Sequence, residues 1–251
     1  MTGPTIHLKD LTVAYDGHPA VHHLTGSFEP GSLTAIAGAN GAGKSTLVKA
    51  IVGDLKPAGG SILFEHLDRR EIGYLPQAAE IERRFPISVL DTVLLGAWRR
   101  TGAFGCVSRA LRRAGEEALS AVRLDGFAAR PVGQLSSGQF QRVLFARLLL
   151  QDAAVILLDE PFTAVDARTT ADLLALVGRW HGEGHTVIAV LHDHEQIRRH
   201  FPRTLLLARS CVSWGASVEA LSPANLSAAN ALAERWHEDA PVCDLRAEDA
   251  A

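Results

Sequence analysis

The chain has 251 residues, 47% of them hydrophobic and 21% charged, enough apolar material for a sizeable core in one large domain or two small ones. Lys and Arg number 25 against 28 Asp and Glu, a formal net charge of −3. That near balance argues against a chain built to coat nucleic acid, although a local basic patch stays open.

No apolar run reaches the roughly 18 residues of a membrane-spanning helix, and Met1-Thr2-Gly3-Pro4 is not followed by a basic and then an apolar segment, so no secretory signal is expected. Cys106, Cys211 and Cys243 are odd in number and far apart, so neither a disulfide framework nor a Cys-x-x-Cys site is expected. A reducing, cytoplasmic setting fits.

In chain order, Ile6, Leu8, Leu11, Val13 and Tyr15 predict one or two half-buried strands, with a turn at Asp16-Gly17. The apolar run 33–37 predicts a strand ending in a glycine-rich loop, then a helix over 45–52 stopped at Gly53. Short strands are expected at 62–64 and 72–75. From Leu90 to Leu124 the pattern turns helical, through Val93, Leu94, Leu111, Leu119 and Val122, with breaks at Gly102, Gly105 and Pro131. Near-continuous apolar runs at 155–158, 186–191 and 204–207 predict strands buried on both faces of a parallel sheet. Ser222-Pro223 predicts a helix start, followed by Leu226, Leu232 and Trp236. Beyond Pro241 an acidic, frayed tail is expected. The whole predicts an α/β core interrupted by an inserted helical subdomain.

Gly38-Ala39-Asn40-Gly41-Ala42-Gly43-Lys44-Ser45 has the phosphate-loop pattern Gly-x-x-x-x-Gly-Lys-Ser, between a predicted strand and a predicted helix. Glycines let the backbone turn its N–H groups toward phosphate oxygens, and the helix start adds its positive dipole end. Lys44 suits the β/γ-phosphates and Ser45 suits Mg²⁺. Downstream, Asp159 and Glu160 close the strand at 155–158. Alternation points their side chains differently. Asp159 is then a candidate for the Mg²⁺ shell, directly or through water, and Glu160 for accepting a proton from the attacking water or orienting it.

Leu135-Ser136-Ser137-Gly138-Gln139 precedes a helical run. Ser136 and Gln139 have capping-box spacing, and an exposed helix start is also an anion site. This segment resembles the Leu-Ser-Gly-Gly-Gln signature of the ABC-type ATPases. Other elements follow that family's order: Tyr15 resembles the adenine-stacking aromatic, Gln77 the Q-loop glutamine, Ala164-Val165-Asp166 the D-loop, and His192 the switch histidine. The resemblance runs from about residue 5 to 235.

The resemblance implies an ABC-type P-loop core: a mixed sheet with flanking helices and an N-terminal antiparallel β part, over 1–77 and 150–220. A helical subdomain with the signature would span 78–149, and a short helix and tail 221–251. It further implies ATP and Mg²⁺ held between two copies. One copy would offer Tyr15, Gly38, Asn40, Gly41, Gly43, Lys44, Ser45 and Thr46, with Ser45, Gln77 and Asp159 near the metal and Glu160, His192 and Gln77 in catalysis. The other would offer Ser136, Ser137, Gly138, Gln139 and Asp166. Ser137 departs from the family's glycine, and a positive φ there would be uncomfortable for serine.

The stretch from Phe85 to Gly96 resembles the same region of zinc, manganese and iron importer ATPases, as do Arg130–Gln134 and Glu160–Asp166. A peripheral subunit on the cytoplasmic face of the membrane is thereby implied. Its partners would be separate permease subunits and an extracytoplasmic metal-binding protein, with no nucleic acid. Zinc comes first as cargo, then manganese or iron. An iron–siderophore importer is the alternative, and a soluble ATPase acting on nucleic acid or ribosomes stands behind it. The 11 histidines include His192 and His194 around Asp193, and His237 near Cys243 and Asp244. Neither group has clear metal-ligand spacing, and direct metal binding by this chain is not expected.

Overall fold

The computed structural model describes residues 3–15, 18–77, 81–83, 85–102 and 105–238, the side chains of 234–238 excepted. The expected turn at Asp16-Gly17, the first two residues, the acidic tail and the His237–Cys243–Asp244 grouping lie outside the described residues.

Two sheets organise the molecule. Strands β1 (Thr5–Tyr15), β2 (His18–Phe28) and β4 (Gly59–Glu65) form an antiparallel sheet in the order β2-β1-β4. The larger sheet has the order β5-β6-β7-β3-β8-β9, from β3 (Leu33–Ala37), β5 (Ile72–Leu75), β6 (Val155–Asp159), β7 (Thr186–Val190), β8 (Arg203–Ala208) and β9 (Ser210–Ala216). Its strands run parallel except β9, which pairs antiparallel with β8. The mixed sheet and antiparallel N-terminal part agree with expectation.

The apolar runs are explained by alternation. Val155 and Leu157 face one core with Ile36, Ile188, Val190, Leu205 and Leu207, while Ile156 and Leu158 face the other with Ala35, Val187 and Ala189. Helix α1 (Lys44–Val52) fills the space between the sheets, where Leu47, Val48 and Ile51 meet Ile6, Leu11 and Val21. It stops where Gly53 takes a left-handed φ of 96° and its N–H returns to Lys49 O.

The helical insertion consists of α2 (Val89–Leu94), α3 (Trp98–Thr101), α4 (Arg109–Ala121) and α5 (Ser137–Gln151). Ser88 caps α2 and Ser108 caps α4, each accepting from the backbone N–H three residues on. Helix α5 is buried along most of its length and ties the insertion to the sheet. Its Arg147 donates to Tyr74 O at 2.7 Å, and Gln151 donates to Ile72 O at 3.2 Å. A Cβ at Gly96 would lie 2.2 Å from Arg147 O, so only glycine allows this approach of the α2 region to α5.

Helices α6 (Ala167–Gly182), α7 (His194–His200), α8 (Ser217–Ala220) and α9 (Pro223–Glu238) complete the fold, and Leu226 and Leu232 of α9 pack on the second core. Trp180 of α6 stacks on Phe145 of α5 with centroids 5.7 Å apart and planes 10° apart. Among the described residues, no helix is long and apolar enough to cross a membrane.

Candidate nucleotide site

Sheet register alone assembles the first group of site residues. Leu75 pairs with Leu158, Asp159 with Val190, and Ile36 with Val190. Gln77, Glu160, His192 and Gly38 therefore leave the same end of four adjacent parallel strands. Carboxyl ends of such strands are where open α/β sheets bind ligands.

The loop after β3 is built by conformation. Gly38, Gly41 and Gly43 have φ of 152°, 78° and 90°. A Cβ at Gly38 would lie 2.1 Å from Leu207 O, and one at Gly43 would lie 2.1 Å from Ala20 O. No side chain could be added at either without moving a neighbouring strand. Gly43 also caps α1 without a side-chain acceptor, so the first N–H groups of the helix face the loop.

Lys44 is buried, and its Nζ donates to Gly38 O at 2.9 Å and Ala39 O at 2.8 Å. Burial pushes its ammonium below the ordinary lysine range, while the charges of Glu160 and Asp159 pull it part of the way back. Ser45 Oγ donates to Asp159 Oδ1 at 3.0 Å, and Asp159 is fully buried. Hydroxyl and carboxylate oxygens so placed beside a phosphate loop are a hard donor set, chemically suited to Mg²⁺. Thr46 follows on α1, half-buried, and Asn40 and Gly41 are exposed at the loop's tip. Tyr15 ends β1 with 47% of its surface exposed, and Gln77 is half-buried two residues past β5.

Glu160 turns the chain at the end of β6 with a left-handed φ of 49°. Its Oε1 lies 2.6 Å from His192 Nε2, and its Oε2 accepts from Thr163 Oγ1 at 3.2 Å. Each carboxylate oxygen thus has its own partner. Thr163 is not among the residues expected from sequence. Its spacing three residues after Glu160 was the available signal, since a hydroxyl there can reach back across a tight turn.

Ser136, Ser137, Gly138, Gln139 and Asp166 form a second group. Ser136 caps α5: Gln139 N donates to Ser136 Oγ at 3.3 Å, and Ser136 N donates to Gln139 Oε1 at 3.0 Å. The capping box is present as read. Ser137 opens the helix and is not among the residues of positive φ, so the strain weighed for a serine there does not arise. Asp166 caps α6 and accepts from Thr169 N at 2.9 Å and Thr169 Oγ1 at 2.8 Å. Those bonds hold its carboxyl below the usual range. Gly138 lies against it: a Cβ there would be 3.4 Å from Asp166 Oδ2.

Among the described residues, no group of three or more His, Cys, Asp and Glu side chains could hold a metal ion.

A family model described as ABC transporter matches residues 21–163. This chain belongs to the ABC transporter family. Its curated relatives are ATP-binding subunits. The manganese transport system ATP-binding protein MntB of Listeria monocytogenes is 35% identical over 214 residues, covering 84% of this chain and 89% of its own. The zinc transport system ATP-binding protein TroB of Treponema pallidum is 37% identical over 228 residues, covering 88% and 85%. Among solved structures, a metal-chelate type ABC transporter in an inward-facing conformation superposes with a TM-score of 0.81 at 28% identity, covering 91% of this chain and 90% of that one. A dimeric ATP-binding cassette in a post-hydrolysis state with ADP and Pi gives 0.75 at 26%, covering 84% and 98%. As an ABC transporter subunit, the chain is an ATP-binding cassette with the P-loop core and the inserted helical subdomain of that family.

Proposed function

We propose that this ABC transporter subunit hydrolyses ATP to drive import of a divalent metal ion through a separate membrane permease. The observation that carries the cargo class is its likeness, at 35% and 37% identity over 84% and 88% of the chain, to manganese and zinc transport subunits. Copies would work in pairs, as the dimeric cassette does. Phe85, Leu95 and Trp98 in the region of the helical insertion are exposed by 65%, 46% and 55%, and would be available to a permease. An extracytoplasmic metal-binding protein would act through that permease, and the subunit would sit on the cytoplasmic face of the membrane.

The geometry supports a division of labour. Tyr15 would stack on the adenine, while the backbone of Gly38, Asn40, Gly41 and Gly43 would surround the phosphates, with Thr46 beside them. Lys44 already closes across the loop onto two carbonyls and would exchange them for β- and γ-phosphate oxygens. Ser45, Asp159 and Gln77 would hold Mg²⁺, which would supply positive charge to offset that of the phosphates. Glu160, steadied by His192 and Thr163, would orient the attacking water or take its proton. Ser136, Ser137, Gly138, Gln139 and Asp166 would meet the γ-phosphate side of the nucleotide held by the other copy. Closure around ATP and release after hydrolysis would then move the permease.

Reconstitution with the permease and binding protein tests the cargo. Hydrolysis stimulated by Zn²⁺, Mn²⁺ or Fe²⁺ is the expected result. The superposition on a metal-chelate type transporter favours one second reading: stimulation by an iron–siderophore complex and by no free metal would establish it in place of the first.

A further inference from the structure

Signature and D-loop lie 27 residues apart from Gly138 to Val165 in sequence, yet the described structure joins them within one chain. Arg142, on the second turn of α5 after the Ser136 cap, has a side chain only 12% exposed. Its Nη1 donates to Val122 O at 3.0 Å at the end of α4. Its Nη2 donates to Asp172 Oδ2 at 2.7 Å and to Thr169 Oγ1 at 3.1 Å, both on α6. The Thr169 hydroxyl, itself buried, passes its one proton to Asp166 Oδ2 at 2.8 Å.

The direction of this chain of bonds is fixed by its chemistry. Guanidinium has no acceptor, so Thr169 must accept from Arg142; a hydroxyl has a single proton, and the Asp166 carboxylate takes it. Bonds to charged groups are roughly twice as strong as neutral ones. Arg123 Nη1, 3.2 Å from Asp172 Oδ2, holds the far end. Both carboxyls lie below the usual range: Asp166 through its bonds from Thr169, Asp172 through its bond from Arg142. At the near end, Asp166 neighbours Gly138: a Cβ added there would lie 3.4 Å from Asp166 Oδ2. α5 and α6 thereby present their N-termini as one piece.

We propose that Arg142 and Thr169 are positioning residues that lock signature and D-loop into a single surface, so that both engage the other copy's nucleotide together or not at all. The inference rests on the split site proposed above. It adds that pairing depends on two residues that touch neither the nucleotide nor the partner. Loosening them would leave nucleotide binding by a chain's own P-loop intact and weaken the ATP-dependent pairing of two chains.

The test uses the full chain carrying Glu160→Gln, to hold the ATP-bound state. Dimerisation with ATP is followed by analytical ultracentrifugation, ATP affinity by equilibrium binding to dilute chains, and folding by thermal melting. Thr169→Val keeps shape but removes the hydroxyl and with it two bonds to charged groups, from Arg142 and to Asp166, and it is expected to weaken pairing by about tenfold or more. ATP affinity of the dilute chain and the melting temperature should hold, and Thr169→Ser should restore pairing. Arg142→Met should weaken pairing further. Pairing unchanged by Thr169→Val, or lost only in step with ATP affinity and melting temperature, overturns the inference. If the Glu160→Gln chain with Arg142 and Thr169 intact does not pair with ATP, the split site itself fails and takes the inference with it.

Discussion

His192 Nε2 lies 2.6 Å from Glu160 Oε1, across the ends of two neighbouring parallel strands. The contact gives the carboxylate after β6 a fixed direction even though its own backbone is left-handed. Positive φ at a residue other than glycine is uncommon and marks sites where position matters more than comfort.

Glu160→Gln keeps the shape of this arrangement and removes the basic oxygen. Turnover is expected to fall by about 10²-fold or more, the usual scale of general-base catalysis, while ATP-bound pairing persists. Normal turnover in single-turnover and steady-state assays would remove Glu160 from that role.

Thr163→Val removes the second hold on the same carboxylate. A few-fold fall in kcat with unchanged KM for ATP is expected, and Thr163→Ser should recover the rate. A change in KM alone would show that Thr163 serves nucleotide binding instead.

Ser137→Gly is expected to leave ATPase activity within a few-fold or to raise it, because the serine already has helical backbone. A large loss would give its hydroxyl a specific part in the site.

Trp180→Ala opens the stack on Phe145 between α5 and α6. Deleting a buried aromatic of this size costs about 3–5 kcal/mol, measurable as a shift in the denaturant midpoint. A cost under about 1 kcal/mol would mean that this interface repacks freely.

Asp172 carries a signed pH dependence. Its folded-state pKa is depressed, chiefly by the bond from Arg142. The unfolded chain therefore binds more protons between the two values. The contribution is fully present above the ordinary aspartate pKa of about 3.9 and is lost as pH falls through the folded value. Asp172→Asn should be less stable at neutral pH and lose less on acidification; equal acid sensitivity would contradict the assignment.

Much of the molecule was legible before its coordinates, for identifiable reasons. The glycine-rich loop before α1 and the acids Asp159 and Glu160 at the end of β6 stood out because they sit at fixed spacing beside an apolar strand. β6, β7 and β8 could be read because burial on both faces leaves unbroken apolar runs. Strand β2 escaped: its pairing with β1 shifts register near Asp10 and His23, both at a φ of 49°, which breaks the alternation that marks a strand. No element was expected at α6 or α7. Thr169 and Arg142 could not be found from spacing, because they meet only when separate helices pack, 27 residues apart along the chain.

The composite site is tested most directly by mixing two disabled chains. Lys44→Ala removes the phosphate-loop lysine, and Ser136→Arg blocks the signature; each alone should be inactive. Mixed pairs contain one site with an intact Lys44 from one copy and an intact Ser136 from the other, so ATP turnover should reappear on mixing. Turnover by the Ser136→Arg chain alone, or a mixture as inactive as its parts, would contradict a site shared between two copies.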